Sequence, residues 1–205
     1  MSAIALIDYG AGNLTSVKKA LRAIDADVFV PLEPAELEDV SGIIVPGVGH
    51  FSATRRLAGP WTETIRRVVQ DGRPLLGICV GMQWLFEGSD EALDCPALGA
   101  VAGRCARLSD HNGPERLKIP HVGWNALDLL RRDAPVVEGI RSGAQVYFTH
   151  SYAAPLTVDT VAATTHGEPF AAIVQRGRVA GVQFHPEKSG DIGLQILRNF
   201  MRSVG

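Results

Sequence analysis

Pro74-Leu75-Leu76-Gly77-Ile78-Cys79-Val80-Gly81 is a short apolar run that leads into a cysteine with a glycine two residues away on either side. A run that is apolar at every position predicts a strand buried on both faces, as in a parallel sheet. The residues from Val80 to Phe86 predict a helix, so Cys79 stands where the strand turns into that helix. The two glycines allow the sharp strand–turn–helix elbow that presents a nucleophile.

The position of Cys79 also favours the reactive form of its thiol. Free N–H groups and the helix dipole at a helix N-terminus both favour thiolate over thiol. A cysteine in an ordinary setting has a pKa of about 8.5, so little of it is ionised at neutral pH without such help. Cys79 is therefore a candidate nucleophile, and a buried cysteine in a glycine-rich turn is the structural alternative. Cys95 and Cys105 lack the glycine pattern and are expected to be structural.

Buried strands alternate with amphipathic helices through the first half of the chain. This alternation predicts a doubly wound, parallel sheet. The predicted strands are Ala3–Ile7, Val28–Val30, Gly42–Val45 and Pro74–Ile78, and the predicted helices are Leu14–Ile24, Trp61–Asp71 and Val80–Phe86.

The second half predicts strands on short loops and a final helix, with Arg176-Gly177 as a tight hairpin turn. We expect these strands to form an antiparallel extension packed on the parallel sheet. The predicted fold class is therefore α/β: a doubly wound, mostly parallel sheet with flanking helices and an antiparallel extension, in a single domain over residues 1–205. The predicted strands lie near Ala100–Leu108, Val122–Leu130, Gln145–Phe148, Thr160–Thr165, Ala171–Gln175 and Val179–Phe184, and the helix spans about Asp191–Ser203.

Composition argues against several classes of function. The net charge is −2 and no run of five like charges occurs, so nothing marks a surface for nucleic acid or an anionic membrane. No apolar stretch approaches the roughly 20 residues of a membrane helix, and the N-terminal run lacks a basic leader. Three cysteines without a CxxC pair favour reduced thiols in a cytoplasmic protein over a disulfide framework or a zinc site. We expect no metal and no cofactor.

Val182-Gln183-Phe184-His185-Pro186-Glu187-Lys188 supplies a candidate base near the end of the chain. Residues i and i+2 of an extended chain point to the same side, so His185 and Glu187 share a face. Pro186 restricts His185 to extended backbone. Glu187 would then hold one ring nitrogen and leave the other to take the Cys79 proton. For His185 alone, an ordinary strand-end histidine is the alternative. We expect Cys79 and His185 to lie at surface-facing strand ends.

Pro46-Gly47-Val48-Gly49 follows the third predicted strand and offers backbone donors. Attack on an amide creates an oxyanion, which N–H groups aimed at it stabilise. The two glycines allow an N–H to swing into position, and Val80, the residue after the nucleophile, is the natural second donor. A plain strand-to-loop turn is the alternative for this segment. The candidate oxyanion donors are Gly47, Val48, Gly49 and Val80.

These three segments together resemble the class I, or triad-type, glutamine amidotransferases, which pair a GxCxG elbow with a late His-Pro-Glu. The resemblance implies that Cys79, His185 and Glu187 hydrolyse glutamine to glutamate through a thioester on Cys79. It also implies two contacts of the glutamine substrate. These are Gln83, from the match at Gly81-Met82-Gln83, and Glu91, from its spacing beyond the nucleophile.

Other stretches resemble one branch of that family, the glutaminase subunits that supply ammonia to a separate (β/α)8-barrel cyclase subunit in histidine biosynthesis. The specific stretches are Lys118-Ile119-Pro120-His121-Val122-Gly123-Trp124-Asn125 and Tyr147-Phe148-Thr149-His150-Ser151-Tyr152. The likeness implies a heterodimer whose glutaminase activity is low until the cyclase binds its ligand and the Pro46–Gly49 segment reorients. It places Thr149, His150 and Ser151 at the glutamine site, and Pro120, His121, Gly123, Trp124, Tyr147 and Lys188 at the partner interface.

Three other interpretations stay open. A glutaminase for anthranilate, aminodeoxychorismate or guanylate synthesis would share the elbow and the His-Pro-Glu, although the Lys118–Asn125 stretch argues against it. A DJ-1/PfpI-type redox or chaperone-like protein has an elbow cysteine, but it does not predict the late His-Pro-Glu. A binding subunit with a vestigial triad is the third, and the presence of all three triad residues argues against it.

Overall fold

The computed structural model describes residues 3–204, which form a large sheet, three small two-stranded sheets and four α-helices. In chain order the strands are β1 (Ile4–Leu6), β2 (Val28–Phe29), β3 (Gly42–Val45), β4 (Leu75–Ile78), β5 (Ala106–Arg107), β6 (His111–Asn112), β7 (Glu115–Arg116), β8 (His121–Ala126), β9 (Asp128–Leu129), β10 (Gln145–His150), β11 (Tyr152–Ala153), β12 (Thr160–His166), β13 (Glu168–Arg176) and β14 (Val179–Val182). The helices are α1 (Leu14–Arg22), α2 (Pro60–Gln70), α3 (Val80–Leu85) and α4 (Gly190–Arg202), with short 3-10 helices at Pro34–Leu37, Phe51–Leu57, Pro135–Val137 and Pro186–Lys188.

The large sheet has eight strands in the order β2-β1-β3-β4-β14-β13-β12-β9. The first five are parallel to one another. The other three continue the same sheet in antiparallel fashion. The predicted antiparallel extension is therefore hydrogen-bonded beside the parallel strands and does not pack on them as a second layer. β4 and β14 are adjacent in the sheet although about 100 residues separate them in the chain, so the fold brings the two halves of the sequence together.

A smaller antiparallel sheet, β8 with β10, is joined to the end of β14. Its register places His121 opposite His150 and Trp124 opposite Tyr147. The His185 N–H donates to the Tyr147 carbonyl at 2.9 Å, and the Tyr147 N–H donates to Ser189 Oγ at 3.0 Å. These bonds hold β10 against the segment that follows β14.

The four helices begin and end within two residues of their predicted bounds. Asn13 caps α1, since its side-chain oxygen accepts a hydrogen bond from the Ser16 N–H at 3.2 Å. The apolar face of α1 buries Val17, Ala20 and Leu21. In α4 the buried face includes Ile196, Leu197 and Phe200, and α1 and α4 contact each other.

The loop after α3 replaces most of one predicted strand. Because α3 has only six residues, its last carbonyls need partners from outside the helix. The Leu98 N–H donates to the Trp84 carbonyl at 2.8 Å, and the Ala100 and Val101 N–H groups donate to the Leu85 carbonyl at 2.8 and 3.0 Å. The prediction of a strand over Ala100–Leu108 was therefore wrong except at β5.

Two other segments pair or turn differently from the prediction. Val122–Leu130 is not one strand, because its first part pairs with β10 and its last part, β9, pairs with β12 in the large sheet. The last hairpin turn lies at Gly177-Arg178, since Arg176 and Val179 are opposite each other in the β13–β14 ladder.

One cluster of buried apolar side chains extends from β1 to α4. The single domain predicted for residues 1–205 stays a prediction. Within residues 3–204 no helix combines the length and the apolar character required to cross a membrane.

Candidate active site

The carboxyl edge of the parallel strands gathers the predicted site residues. Cys79 follows β4, and His185 lies shortly after β14. Because β4 and β14 are parallel neighbours with Ile78 opposite Val182, the two chain segments leave the sheet together. The Cys79 N–H donates to the Val182 carbonyl at 2.8 Å. Such an edge is where open α/β sheets place their ligands.

Cys79 has the backbone of a strained elbow. Its φ and ψ are 54° and −109°, at the N-cap of α3. Positive φ is rare for residues other than glycine and is often found where function maintains strain. The elbow also requires its second glycine, since a Cβ at Gly81 would overlap the carbonyl oxygen of Val45. The geometry is the one that the sequence predicts.

His185 and Glu187 form a buried pair. His185 Nδ1 lies 2.8 Å from Glu187 Oε1, and the two side chains are 1% and 2% exposed. His185 Nε2 and Glu187 Oε2 are buried and have no hydrogen-bond partner among residues 3–204. Glu187 therefore orients the imidazole of His185, and the second ring nitrogen, Nε2, is available for proton transfer.

The prediction that Cys79 and His185 lie at surface-facing strand ends was wrong, because both residues are buried, 2% and 1% exposed. The β10 backbone bonds to the His185 segment, and residues at the end of β10 and just after it line the cavity at this sheet edge.

The charge state of His185 suits it to donate a proton. Burial by itself lowers the pKa of His185, but interactions with Cys79 and Glu187 outweigh burial and raise that pKa to about 10. The imidazolium is therefore the stable form at neutral pH.

The Pro46–Gly49 stretch, called the oxyanion segment from here on, packs against the start of α3. A Cβ at Gly47 would lie 2.9 Å from the Val80 Cβ and 3.1 Å from the Gly81 nitrogen. Gly49 has a φ of 88° and lines the cavity next to Cys79. The segment and the α3 N-terminus are thus adjacent, as the donors to a single oxyanion must be.

A cavity of about 200 Å³ opens beside Cys79. It contains the residues predicted to contact substrate, together with Pro120, which the family resemblance assigns to the partner interface. A cavity of about 310 Å³ lies between the amino end of β14 and the carboxyl end of α4, away from the nucleophile, and its lining residues include no comparable triad. The cavity at Cys79 is lined by Gly49, Cys79, Val80, Gln83, Glu91, Pro120, Thr149, His150, Ser151 and Tyr152.

Gln83 lines the cavity and is linked to Cys79 by hydrogen bonds through Gln183, a residue that was not predicted to be part of the site. Gln83 Nε2 donates to the Tyr152 carbonyl at 2.8 Å and to Gln183 Oε1 at 3.2 Å. Gln183 Nε2 in turn donates to Cys79 Sγ at 3.6 Å. The available signal for Gln183 was its position as a polar residue between the apolar Val182 and Phe184.

Glu91, which the resemblance assigns to the substrate's α-amino group, lines the same cavity. Its Oε2 accepts a hydrogen bond from the Phe51 N–H at 2.7 Å, and this bond fixes the carboxylate. No group of three or more His, Cys, Asp or Glu side chains within residues 3–204 is arranged to hold a metal ion.

His150 and His121 continue the polar network behind the cavity. Asn125 Nδ2 lies 3.3 Å from His121 Nε2, and Asn125 Oδ1 accepts the Ala126 N–H, which fixes the orientation of the amide. His121 Nδ1 then donates to His150 Nε2 at 3.1 Å, and His150 Nδ1 donates to the Tyr152 carbonyl at 2.9 Å. Each ring carries one proton and is neutral.

The pKa values of these two histidines agree with that assignment. Burial, with smaller effects from the nearby His121, His166 and His185, lowers the pKa of His150 to about 3, although the hydrogen bond to the Tyr152 carbonyl raises it. Burial and His166 lower the pKa of His121 to about 4. Neither ring is suited to exchange protons with substrate at neutral pH.

Part of the predicted partner interface is a surface formed by β8, β10 and Lys188. Trp124 and Val122 are each 56% exposed. The rings of Trp124 and Tyr147 lie 6.1 Å apart, and Lys188 Nζ lies 5.7 Å from the centre of the Tyr147 ring. We call Val122, Trp124, Tyr147 and Lys188 the aromatic patch. Gly123 is partly buried between two patch residues, and His121, 5% exposed, lies beneath the patch.

Comparison with known proteins places the chain in a family. Residues 5–204 match the family described as Glutamine amidotransferase class-I. The chain is 46% identical, with 97% of it and 93% of the relative covered, to a protein of Natronomonas pharaonis named imidazole glycerol phosphate synthase subunit HisH. A protein of the same name from Halobacterium salinarum is 44% identical, with 98% and 93% covered. A third, from Synechococcus sp., is 45% identical, with 98% and 94% covered.

Solved structures share the fold at low sequence identity. A structure titled as a glutamine amidotransferase has a TM-score of 0.76 at 21% identity, with all of both chains covered. The PurLQS structure from Thermotoga maritima has a TM-score of 0.72 at 19% identity, again with both chains covered in full. From the family match and the identities of 40–46% to the HisH relatives, we conclude that the chain belongs to the class I glutamine amidotransferases, in the group of HisH subunits of imidazole glycerol phosphate synthase.

Proposed function

We propose that the chain hydrolyses glutamine to glutamate and ammonia and passes the ammonia to a cyclase subunit. The observation that carries the proposal is the buried cluster of Cys79, His185 and Glu187 beside a cavity lined with groups that can bind an amino acid. The relatives that bear the name HisH support imidazole glycerol phosphate synthase as the complete enzyme.

In the first step the Cys79 thiolate attacks the side-chain carbonyl carbon of glutamine. The carbon–nitrogen bond breaks as the His185 imidazolium gives its Nε2 proton to the leaving nitrogen, which departs as ammonia. A γ-glutamyl thioester remains on Cys79. Glu187 holds the ring through Nδ1 at 2.8 Å, so that Nε2 faces the reacting atoms.

In the second step water attacks the thioester carbon. His185, now neutral, takes a proton from that water, and the carbon–sulfur bond breaks to release glutamate. Cys79 returns as thiolate and His185 as imidazolium, the state in which the cycle began. In both steps an oxyanion forms, and N–H groups of Val80 and the oxyanion segment stabilise it. One such donor contributes about 3 kcal/mol in known hydrolases.

The side chains around the cavity suit the two ends of glutamine. The Glu91 carboxylate would pair with the α-ammonium group, and its bond to the Phe51 N–H keeps it in place. Gln83 Oε1 is buried without a partner in the described part of the chain and can accept an N–H of the substrate. Thr149 and Ser151 line the cavity with hydroxyl groups for the substrate's polar atoms.

The aromatic patch is the proposed contact with the cyclase, a (β/α)8 barrel that uses the ammonia to make imidazole glycerol phosphate and an aminoimidazole carboxamide ribonucleotide. Aromatic residues are enriched at protein interfaces, and Trp124 is 56% exposed. We propose that the two subunits form a heterodimer and that the oxyanion segment reorients when the cyclase binds its nucleotide. Cys79, Cys95 and Cys105 are free thiols, which favours a cytoplasmic location.

The test combines a panel of synthases with variants of the triad. The purified chain is mixed in turn with the cyclase and with anthranilate, aminodeoxychorismate and guanylate synthase partners, and ammonia release from glutamine is measured. We expect only the cyclase with its nucleotide to raise turnover. Stimulation by another synthase instead would favour the alternative glutaminase function.

Cys79→Ser and His185→Ala should each abolish glutamine hydrolysis in the stimulated complex. Because Cys79→Ser is nearly isosteric, we expect this variant to fold although the site is buried. Circular dichroism on both variants separates loss of chemistry from loss of fold. Near-normal turnover in either folded variant would refute the triad.

A further inference from the structure

The Tyr9 hydroxyl is a buried polar group to which neither the triad nor the cavity gives a role. Tyr9 follows β1 at the same carboxyl edge as Cys79 and is 5% exposed. Its Oη atom is fully buried and has no hydrogen-bond partner within residues 3–204. A buried hydroxyl without a partner is costly, so its presence calls for a reason.

Two hydrogen bonds fix the backbone around Tyr9. Asp8 Oδ1 accepts the Gly10 N–H at 2.9 Å. Arg56 Nη1 donates to the Tyr9 carbonyl at 3.2 Å. Because the side chain is also buried, 5% exposed, the ring is packed at the end of β1.

The hydroxyl lies against the oxyanion segment. A Cβ added to Gly47 would overlap Tyr9 Oη, so the oxygen faces the Gly47 backbone directly. Cys79 is also close, since its charge is one cause of the raised pKa of Tyr9, after burial. Tyr9 does not line the cavity, whereas Gly49 and Val80 do. The hydroxyl thus stands behind the segment, on the side away from substrate.

The geometry of a trans peptide indicates which hydrogen bond the Tyr9 hydroxyl can form. The N–H and C=O of one peptide group point in opposite directions. If the Gly47–Val48 peptide turns its N–H towards the substrate's oxyanion, its carbonyl turns away from the cavity, towards Tyr9 Oη. The hydroxyl would then gain the acceptor that it lacks in this structure.

We propose that Tyr9 is a positioning residue: its hydroxyl donates a hydrogen bond to the Gly47 carbonyl and so holds the oxyanion segment in its working orientation. This inference rests on the proposed glutaminase function. It assigns to Tyr9 a bond that exists only in the working state. If the Tyr9 ring only filled space in the core, phenylalanine at this position would serve equally well.

The test is Tyr9→Phe in the complete chain, assayed for glutamine hydrolysis together with the cyclase and its nucleotide. We expect kcat to fall by roughly tenfold, the effect of one lost hydrogen bond in the working state, with KM within about twofold. The rate of Cys79 alkylation by iodoacetamide should not change, because the nucleophile is untouched. The denaturation midpoint should stay equal or rise, because a buried unpaired hydroxyl has been removed.

Thr164→Val is the matched control for removing a buried hydroxyl. Thr164 is 2% exposed, and its Oγ1 donates to the Ala126 carbonyl at 2.9 Å, away from the cavity. This control should lower the denaturation midpoint and leave kcat unchanged, the reverse of Tyr9→Phe.

Three outcomes would overturn the inference on Tyr9. A Tyr9→Phe variant with wild-type kcat would refute it while the glutaminase function stands. Slower alkylation of Cys79 would show that Tyr9 acts on the thiol and not on the segment. Absence of glutaminase activity in the wild-type complex would remove the proposed function, and the role of Tyr9 with it.

Discussion

At the scale of single residues, the site contains one charged imidazole, that of His185, and two neutral ones, those of His150 and His121. His185 is protonated because Cys79 and Glu187 outweigh its burial. His150 and His121, buried without a carboxylate partner, stay neutral, and each donates or accepts in a fixed direction. Environment alone separates their roles, since the three side chains are chemically identical.

The neutral histidines predict a loss of stability in acid. The pKa of His150 is about 3 in the folded chain, below its ordinary value near 6.5. The unfolded chain therefore binds more protons than the folded one below pH 6.5, and stability falls as the pH drops from 6.5 towards 3. We expect the free energy of unfolding, measured by urea titration at several pH values, to fall less steeply over this range in His150→Asn than in the wild type.

Thr164→Val is the control for that titration, because it removes a buried hydrogen bond but no ionisable group. This variant should lower the stability by a similar amount at every pH and keep the wild-type dependence on pH. Parallel acid curves for His150→Asn and the wild type would contradict the neutral, buried imidazole.

At the scale of elements, the close approach of α3 to β3 fixes the nucleophile elbow. Gly81→Ala would add a Cβ that overlaps the carbonyl oxygen of Val45, and this backbone atom cannot move aside. We expect a loss of about 3–5 kcal/mol in the free energy of unfolding, measured by chemical denaturation.

Gly99→Ala is the matched control for that substitution. Gly99 has a φ of 68° but nothing within 4 Å of an added Cβ, so only backbone strain of about 1 kcal/mol is expected. Equal losses at the two positions would show that the contact with Val45 does not matter.

Some elements of the fold are determined by the local sequence, and others are not. β1, β3 and β4 were predictable because each is an apolar run bounded by polar residues or by glycine and proline. The Ala100–Leu108 stretch was not, because its first residues bond to the last carbonyls of α3, which have no partner within the helix. Pairing partners decide where β8 ends and β9 begins, and a pattern of apolar residues carries no information about partners.

At the scale of the whole molecule, the sequence predicted the triad better than its surroundings. Cys79, His185 and Glu187 sit in local motifs with a chemical signature. The burial of Cys79 and His185 and the contact of Gln183 with Cys79 arise only when β4 meets β14 and β10 covers the edge. The place of Pro120 in the cavity likewise depends on packing between distant segments.

The aromatic patch makes a prediction about assembly. Exposed tryptophans at interfaces are frequent sites of large binding energy, and truncation often costs about 2 kcal/mol, or roughly thirtyfold in Kd. Trp124→Ala should weaken binding to the cyclase by that amount in calorimetric titration. Val158→Ser is the control, because Val158 is 92% exposed and lies outside the patch. An unchanged Kd for Trp124→Ala would mean that the cyclase binds elsewhere.

The most direct measurement of the central claim is to trap the acyl-enzyme. The complex is mixed with isotopically labelled glutamine, quenched in acid within the first turnovers, digested and examined by mass spectrometry. We predict a labelled γ-glutamyl group on the peptide that contains Cys79 and none on the peptides of Cys95 or Cys105. Ammonia release without any label on Cys79, or a label on another cysteine, would contradict the account.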